Sequence, residues 1–275
     1  MYHKKIIFDK FYTKQEIAAL CVSHLDLTKY DLIIEPSAGS GSFLSQIEFE
    51  NKIGIDIYPE HPNIAMGDFL SYDISSQYSN ILVVGNPPFG IRNKLSKAFI
   101  QRATSFVNVQ TVAFILPNVY MKHTLQRCIP NSFRIEQIIH LPDNSFIANN
   151  EEIHIPCSFF ILDRSSGTDL RFNPMLYQEC ADFKFGTSDN YDFYVMGAAP
   201  TVLKSQPEKN NRGYYIKVKE NVNIEDVMYN FKHITWKGLS SVNGGVFWLT
   251  KPELVKGYID GIVAESHKFK TRITK

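Results

Sequence analysis

From residue 31 to residue 163 the chain repeats one arrangement, a short and almost wholly apolar run followed by a longer stretch of mixed apolar and polar positions. The runs are DLIIE (31–35), KIGIDI (52–57), NILVVG (80–85), TVAFILP (111–117), RIEQIIHL (134–141) and CSFFILD (157–163). Continuous runs rich in Ile, Val and Phe predict strands buried on both faces, the habit of parallel sheets covered by helices. Two of the intervening stretches carry helical spacing. In KQEIAALCVSHL (14–25) the positions of Thr13 and Glu16 form a capping box, with Thr13 as N-cap. In KLSKAFIQRATSFV (94–107) Leu95, Ala98, Phe99 and Phe106 recur near helical intervals. The last two runs lie close together, which predicts a terminal antiparallel hairpin on an otherwise mostly parallel α/β sheet with helices on both faces.

After Arg164 the texture changes. SSGTDLRFNP is polar and turn-rich, and beyond it YDFYVMGAA (191–199) and GYYIKVKE (213–220) read as strands. A helix follows at about 223–233, then the punctuation ITWKG (234–238) and a helix from Pro252 to about Glu265. The pattern divides the chain into an α/β unit over 1–164 and a small α+β module over 165–275, with no internal repeat.

Composition narrows the class. At 275 residues and 44% hydrophobic, the chain has enough apolar content for a buried core and is not disordered. Cys21, Cys128, Cys157 and Cys180 are scattered and form no CxxC pair, so neither a zinc site nor a disulfide framework is indicated. No stretch reaches the roughly 20 apolar residues that cross a bilayer, and the first residues hold no sustained apolar segment. The expectation is a soluble, intracellular, cytoplasmic protein, or one of a host cell if viral. The formal charge of +1 hides an uneven distribution: residues 1–90 hold eleven acids and six lysines, whereas residues 91–127 hold Arg92, Lys94, Lys97, Arg102, Lys122 and Arg127 without an acid. A second basic run begins at Lys256. Such runs are either solvated helix faces or an anion-facing surface.

The acid-free run follows NPPFG (86–90) directly. Proline fixes φ, removes an N–H and pushes the residue before it out of the helical region, so this segment is a stiff turn with bare carbonyls. Taken alone it reads equally as a strand end with a capping Asn and a packing Phe. The first strand runs into EPSAGSGSF (35–43), where Gly39 and Gly41 before a helix allow a tight turn that brings backbone amides near a nucleotide-like ligand. The third glycine of a dinucleotide fingerprint is absent. Asp56 stands 21 residues after Glu35, a spacing suited to a ribose hydroxyl pair. Asp68 in GDF, after the third strand, can accept from an adenine amino group with Phe69 beside the ring. Singly each acid is also readable as a cap or a solvated loop charge; together they occupy successive strand ends on one sheet edge.

In that order, DKFYTKQEIA, EPSAGSGSF, IGIDI, GDF and GNPPFG resemble the successive motifs of S-adenosylmethionine-dependent N6-adenine DNA methyltransferases, of the NPPF/Y kind whose cofactor motifs precede the catalytic one. The resemblance covers roughly residues 1–164 and implies a Rossmann-like methyltransferase domain, with target recognition the role it leaves to the C-terminal module. It implies S-adenosylmethionine as cofactor, DNA as partner, no metal, and a restriction-modification setting. Carried over, Phe11, Tyr12 and Thr13 flank the cofactor's methionine end, Glu35 lies near its amino group, Asp56 holds the ribose, and Asp68 and Phe69 meet the adenine. Pro36, Ser37, Gly39, Gly41, Ile57 and Asn86 complete the cofactor site. In the catalytic turn of Asn86, Pro87, Pro88 and Phe89, Asn86 and the Pro87 carbonyl accept from the target amino group and Phe89 stacks on its ring. LPDNSFIANN resembles the later loop whose aromatic covers the other ring face, which assigns Phe146. Arg92, Lys94 and Lys97 are expected on the nucleic-acid backbone.

The chemistry accounts for the odd turn. An adenine amino nitrogen is a poor nucleophile because its lone pair is delocalised into the ring, so a catalyst gains by accepting both N–H bonds and favouring a pyramidal nitrogen. Only acceptors serve, and Asn and a pre-proline carbonyl are acceptors held in fixed directions. A base within duplex DNA must first be flipped out. NPPF also occurs in RNA adenine methyltransferases and NPPY in protein glutamine methyltransferases, so these remain alternatives, as does a non-catalytic nucleic-acid-binding partner, whose motifs would be degraded. In GYYIKVK, Tyr214, Tyr215, Lys217 and Lys219 read either as a basic strand face on DNA or as a half-buried edge strand.

Overall fold

The computed structural model describes residues 11–197, 200–207, 212–234, 236 and 248–273. Asp9 and Lys10 of the DKFYT motif lie outside them, as do most of ITWKG and the side chains of the basic run from residue 265 onward. The chain forms two compact units, Met1–Phe172 and Asn173–Lys275.

The first unit runs β1 (Tyr12–Thr13), α1 (Gln15–Ser23), β2 (Leu32–Glu35), β3 (Lys52–Asp56), β4 (Ile64–Met66), β5 (Ile81–Gly85), α2 (Lys94–Ser105), β6 (Val109–Pro117), α3 (His123–Gln126), β7 (Arg134–His140), β8 (Phe146–Ala148), β9 (Glu151–Ile153) and β10 (Cys157–Asp163). Seven strands form a sheet in the order β4-β3-β2-β5-β6-β10-β7, parallel from β4 to β6, with β10 antiparallel to both its neighbours. This is a Rossmann-like, mostly parallel α/β fold, and β7 with β10 is its terminal hairpin. Every residue of β2 and β5 is buried because both faces are covered. Alternate side chains supply the two cores. Leu32, Ile34, Ile81 and Val83 join Phe99, Ile100 and Ala103 of α2, whereas Ile33, Leu82 and Val84 join Ile17, Ala18 and Cys21 of α1.

Local readings shift in two places. Thr13 is not the N-cap of α1: it pairs with Phe146 in the small sheet β1-β8-β9, and Lys14 caps the helix without a side-chain bond. The strand pairing fixes Thr13 before helical geometry begins. The helix expected after Gly41 is a single 3-10 turn, Leu44–Gln46. Only residues 47–51 separate it from β3, and Phe43 and Ile47 at its two ends are committed to the α1-side core. Lys52 closes that turn, its ammonium donating to the Leu44 and Ile47 carbonyls at 2.9 and 2.5 Å. Residues 165–172 belong with the first unit, where the Leu170 N–H donates to the Ile135 carbonyl at 2.8 Å and the Phe172 N–H to Gln126 Oε1 at 2.8 Å.

The second unit is α+β. It contains β11 (Phe183–Phe185), β12 (Phe193–Met196), β13 (Val202–Leu203), β14 (Gly213–Val218), α4 (Ile224–His233) and α5 (Lys251–Ile273). The strands form an antiparallel sheet in the order β11-β14-β12-β13. Phe183, Phe193, Val195 and Ile216 face Val227 and Phe231 of α4 and Leu254, Val255 and Tyr258 of α5. On β14, Tyr214 packs against this core, and the Lys217 ammonium is held by Asp192 at 2.8 Å.

Candidate active site

The parallel strands end side by side, and their C-terminal edge carries the acids singled out in the sequence. Glu35 closes β2, Asp56 closes β3, Asp68 stands two residues beyond β4, and Asn86 follows β5 directly. They line one cavity of about 480 Å³, within the size range of small-molecule sites.

Its first wall is the loop after β2. Gly39 has φ +52°, a left-handed conformation suited to glycine, and its N–H donates to Asp56 Oδ2 at 2.8 Å. The Ala38 N–H donates to the Ile55 carbonyl at 3.0 Å, and Tyr58 N–H to Asp56 Oδ1 at 2.8 Å. Asp56 therefore fixes two loops and keeps further lone pairs for a ligand. Pro36, Ser37, Gly39, Asp56 and Ile57 all border the cavity; Gly41 bends the loop behind it at φ +83°. Asp68 is at the rim, with one oxygen accepting from the Leu70 N–H at 2.9 Å. Phe69 borders the cavity, but its ring is buried and stacked on Phe99 at 5.6 Å, so it backs the wall rather than presenting a free face.

Glu35 is 2% exposed. One oxygen accepts from the Leu44 N–H at 3.0 Å. Burial pushes its pKa up to about 8, against the opposing pull of the Leu44 and Phe43 amides, with a further rise from the Asp56 carboxylate. A buried acid in this state gains from a cation brought beside it.

The second wall is the Asn-Pro-Pro-Phe turn. Gly85 turns the strand into it at φ +153°, where a Cβ would lie 3.3 Å from Glu35 Cγ. Asn86, Pro87, Pro88 and Phe89 all border the cavity. The Asn86 backbone carbonyl accepts from Ser37 Oγ at 3.1 Å, which ties the turn to the first wall. The side-chain oxygen of Asn86 is buried and has no hydrogen-bond partner among the described residues. Phe89 packs partly on the α1-side core.

Phe11, Tyr12 and Thr13 form the third side. The Tyr12 hydroxyl donates to Glu60 Oε1 at 2.5 Å, bracing β1 against the loop after β3. Phe146 is absent from the cavity wall: it is 1% exposed in the α1-side core, opposite Thr13 in the β1-β8 pairing. Arg92, Lys94 and Lys97 are likewise off the wall, on the segment that leaves the turn; Arg92 and Lys94 are exposed and Lys97 half-buried. Arg102 of the same run is committed internally, to the Tyr72 carbonyl at 2.5 Å, to Asp73 and to the Phe106 ring. Tyr58, Leu70, Leu95 and Phe99 also line the cavity and were not singled out from the sequence as site residues. Leu95 and Phe99 show there only as an amphipathic helix stripe, which does not distinguish core from cavity. Among the described residues no cluster of His, Cys, Asp and Glu has the makings of a metal site, and no helix is long and apolar enough to cross a membrane.

No family model matches the chain. Over 151 residues it is 25% identical to the type II methyltransferase M.CvrRI of Paramecium bursaria Chlorella virus XZ-6E, a match covering 50% of this chain and 34% of that protein. The chain thus spans about a third of the length of the curated relative it matches. Among solved structures it is similar to a modification subunit provisionally assigned to a type I restriction enzyme of Vibrio vulnificus YJ016, at 14% identity and TM-score 0.43, covering 88% of this chain and 59% of that one. It is similar also to the 23S rRNA methyltransferase ErmE, at 14% identity and TM-score 0.43, covering 61% and 74%.

Proposed function

We propose that this protein transfers the methyl group of S-adenosylmethionine to the N6 amino group of adenine in DNA. The observation that carries the reading is the buried oxygen of Asn86, unpartnered among the described residues, on a stiff turn bordering the same cavity that holds three strand-end acids. A buried acceptor without a donor costs folding free energy, about 1–3 kcal/mol, and a donor on a ligand in the adjoining cavity would offset that cost. The sequence similarity to a type II methyltransferase supports the same reaction class.

The residues fit the cofactor. Glu35, buried with no cation beside it among the described residues, suits an amino group; Asp56 has lone pairs to spare for ribose hydroxyls; Asp68 at the rim, with exposed Ile57 on the same cavity lining, suits an adenine. When bound, S-adenosylmethionine supplies an electrophilic methyl group on a sulfonium centre. The chain's own task is then the amino group. Asn86 Oδ1 and the Pro87 carbonyl accept its two N–H bonds, which draws electron density onto nitrogen and favours the pyramidal geometry of attack. Phe89 holds the ring plane, and the prolines keep both acceptors from moving. The nitrogen takes the methyl carbon as the carbon–sulfur bond breaks with its electron pair left on sulfur, and the nitrogen, cationic after attack, passes one proton to water. Because the donor is already activated, positioning and transition-state electrostatics account for catalysis, with no strong base required.

The test is transfer of labelled methyl from S-adenosylmethionine to DNA, to RNA and to a glutamine-containing release-factor peptide in parallel, with digestion to identify the product. N6-methyladenine in DNA is the expected product. Label in RNA or peptide alone would overturn the substrate assignment, and no transfer by protein that binds the cofactor would overturn the activity.

A further inference from the structure

Where the catalytic turn passes into α2, the backbone adopts a conformation that side chains resist. Gly90, Arg92 and Asn93 have φ of +67°, +55° and +59°, and non-glycine residues stay in that region only where the surroundings hold them. Here they are held. The Asn93 N–H donates to the Gly90 carbonyl at 3.1 Å and the Ser96 N–H to the Phe89 carbonyl at 3.4 Å. Ser96 Oγ lies 3.3 Å from the Asn93 carbonyl and 2.7 Å from the hydroxyl of Tyr120, both Ser96 and Tyr120 being fully buried.

The consequence falls on Ile91. It is 71% exposed and belongs to neither hydrophobic core of its unit, although both neighbouring elements have apolar faces. It sits two residues after Phe89 on the cavity wall and immediately before the cations Arg92 and Lys94, themselves exposed. A solvated isoleucine on a braced, strained turn among cations suits one kind of surface: phosphates neutralise the charges, and a gap between base pairs takes the apolar side chain.

We infer that Ile91 enters the base stack of duplex DNA in place of the extruded adenine, so that the base is held out while Asn86 and Phe89 receive it. This rests on the DNA-adenine reading of the cavity. Ile91 is a positioning residue, acting on the duplex and not on the reacting atoms.

The experiment measures methyl transfer to high-complexity genomic DNA, native and heat-denatured, by wild type, Ile91→Ala and Ile91→Met. The readout is the ratio of native to denatured activity, which a purely structural defect would leave unchanged. That ratio should fall about tenfold or more in Ile91→Ala, since denatured DNA needs no extrusion, and return toward wild type in Ile91→Met. An unchanged ratio in Ile91→Ala, or no recovery in Ile91→Met, would overturn the inference. So would a wild type active on denatured DNA alone. A wild type that binds cofactor yet methylates neither DNA would instead remove the substrate reading, and the role of Ile91 with it.

Discussion

Two of the cavity's three sides are made of opposite materials. The wall built from the ends of β2, β3 and β4 is acidic, and each carboxylate is already met by backbone amides: Glu35 by Leu44, Asp56 by Gly39 and Tyr58, Asp68 by Leu70. The wall that follows β5 is uncharged, stiffened by two prolines, and leaves the Asn86 oxygen unpartnered among the described residues. Groups already paired in the free protein bind a ligand with whatever lone pairs remain, and they lose little when it leaves. An unpaired, immobile acceptor gains most at the moment a donor's charge changes. Under the proposed function, that difference would make the first a holding wall and the second a reacting wall.

The sharpest way to break this comparison is Asn86→Ala. Turnover should fall by about 10²-fold or more with cofactor affinity nearly unchanged, as for loss of one preorganised electrostatic contact. Steady-state kinetics paired with calorimetry checks it; equal effects on turnover and cofactor affinity would merge the two walls into one. On the holding wall, Asp56→Ala should weaken S-adenosylmethionine binding by about 1–3 kcal/mol, through loss of charge-assisted hydrogen bonds and of the brace on Gly39. Calorimetry on the folded variant reads this directly.

Glu35 sharpens the comparison through pH. Burial raises its pKa to about 8 from an ordinary 4.5, so between those values the folded chain holds a proton that the unfolded chain has lost. Stability contributed by this group therefore falls as pH rises through that window and levels off above it. In Glu35→Gln the fall should be absent, so relative to wild type the variant gains stability on going from the lower end of that window to the upper, while binding the cofactor more weakly. Urea midpoints at the two ends of the window decide; parallel changes in both proteins would show that Glu35 is not protonated in the fold. The smallest effect is expected outside both walls. Lys94→Ala or Lys97→Ala should reduce the slope of log DNA affinity against log salt by about one unit each, and identical slopes would place those side chains in solvent.

Much of the first unit was legible because continuous Ile/Val/Leu runs have few alternatives to buried strands. All six runs are strands within a residue or two of their expected bounds. The strand-end positions of Glu35, Asp56 and Asn86 follow from those bounds, since a parallel sheet gathers its C-terminal ends on one edge. Phe146 was not legible. Its segment resembles the loop that carries a base-covering aromatic, yet pairing of β8 with β1 places the ring in the core. The same pairing displaced the expected capping box. Arg102 is a similar case: a charge run gives the sign of each residue but not its partner, and this guanidinium is spent on Tyr72 and Asp73.

What the sequence by itself determined is therefore local and periodic: which segments are strands, which turn is rigid, and which side chains stand at strand ends. Those properties follow from covalent restriction at proline, from β-propensity and from the two-residue alternation of strands, none of which depends on distant contacts. Only the tertiary structure decided the state of the groups at that edge. Glu35 is pushed toward neutrality by burial between chain segments, the Asn86 oxygen is orphaned because the described residues around it offer no donor, and Ile91 stands in water next to a turn tied to the buried Ser96–Tyr120 pair. Burial and pairing are sums over neighbours far apart in the chain, so no local pattern encodes them.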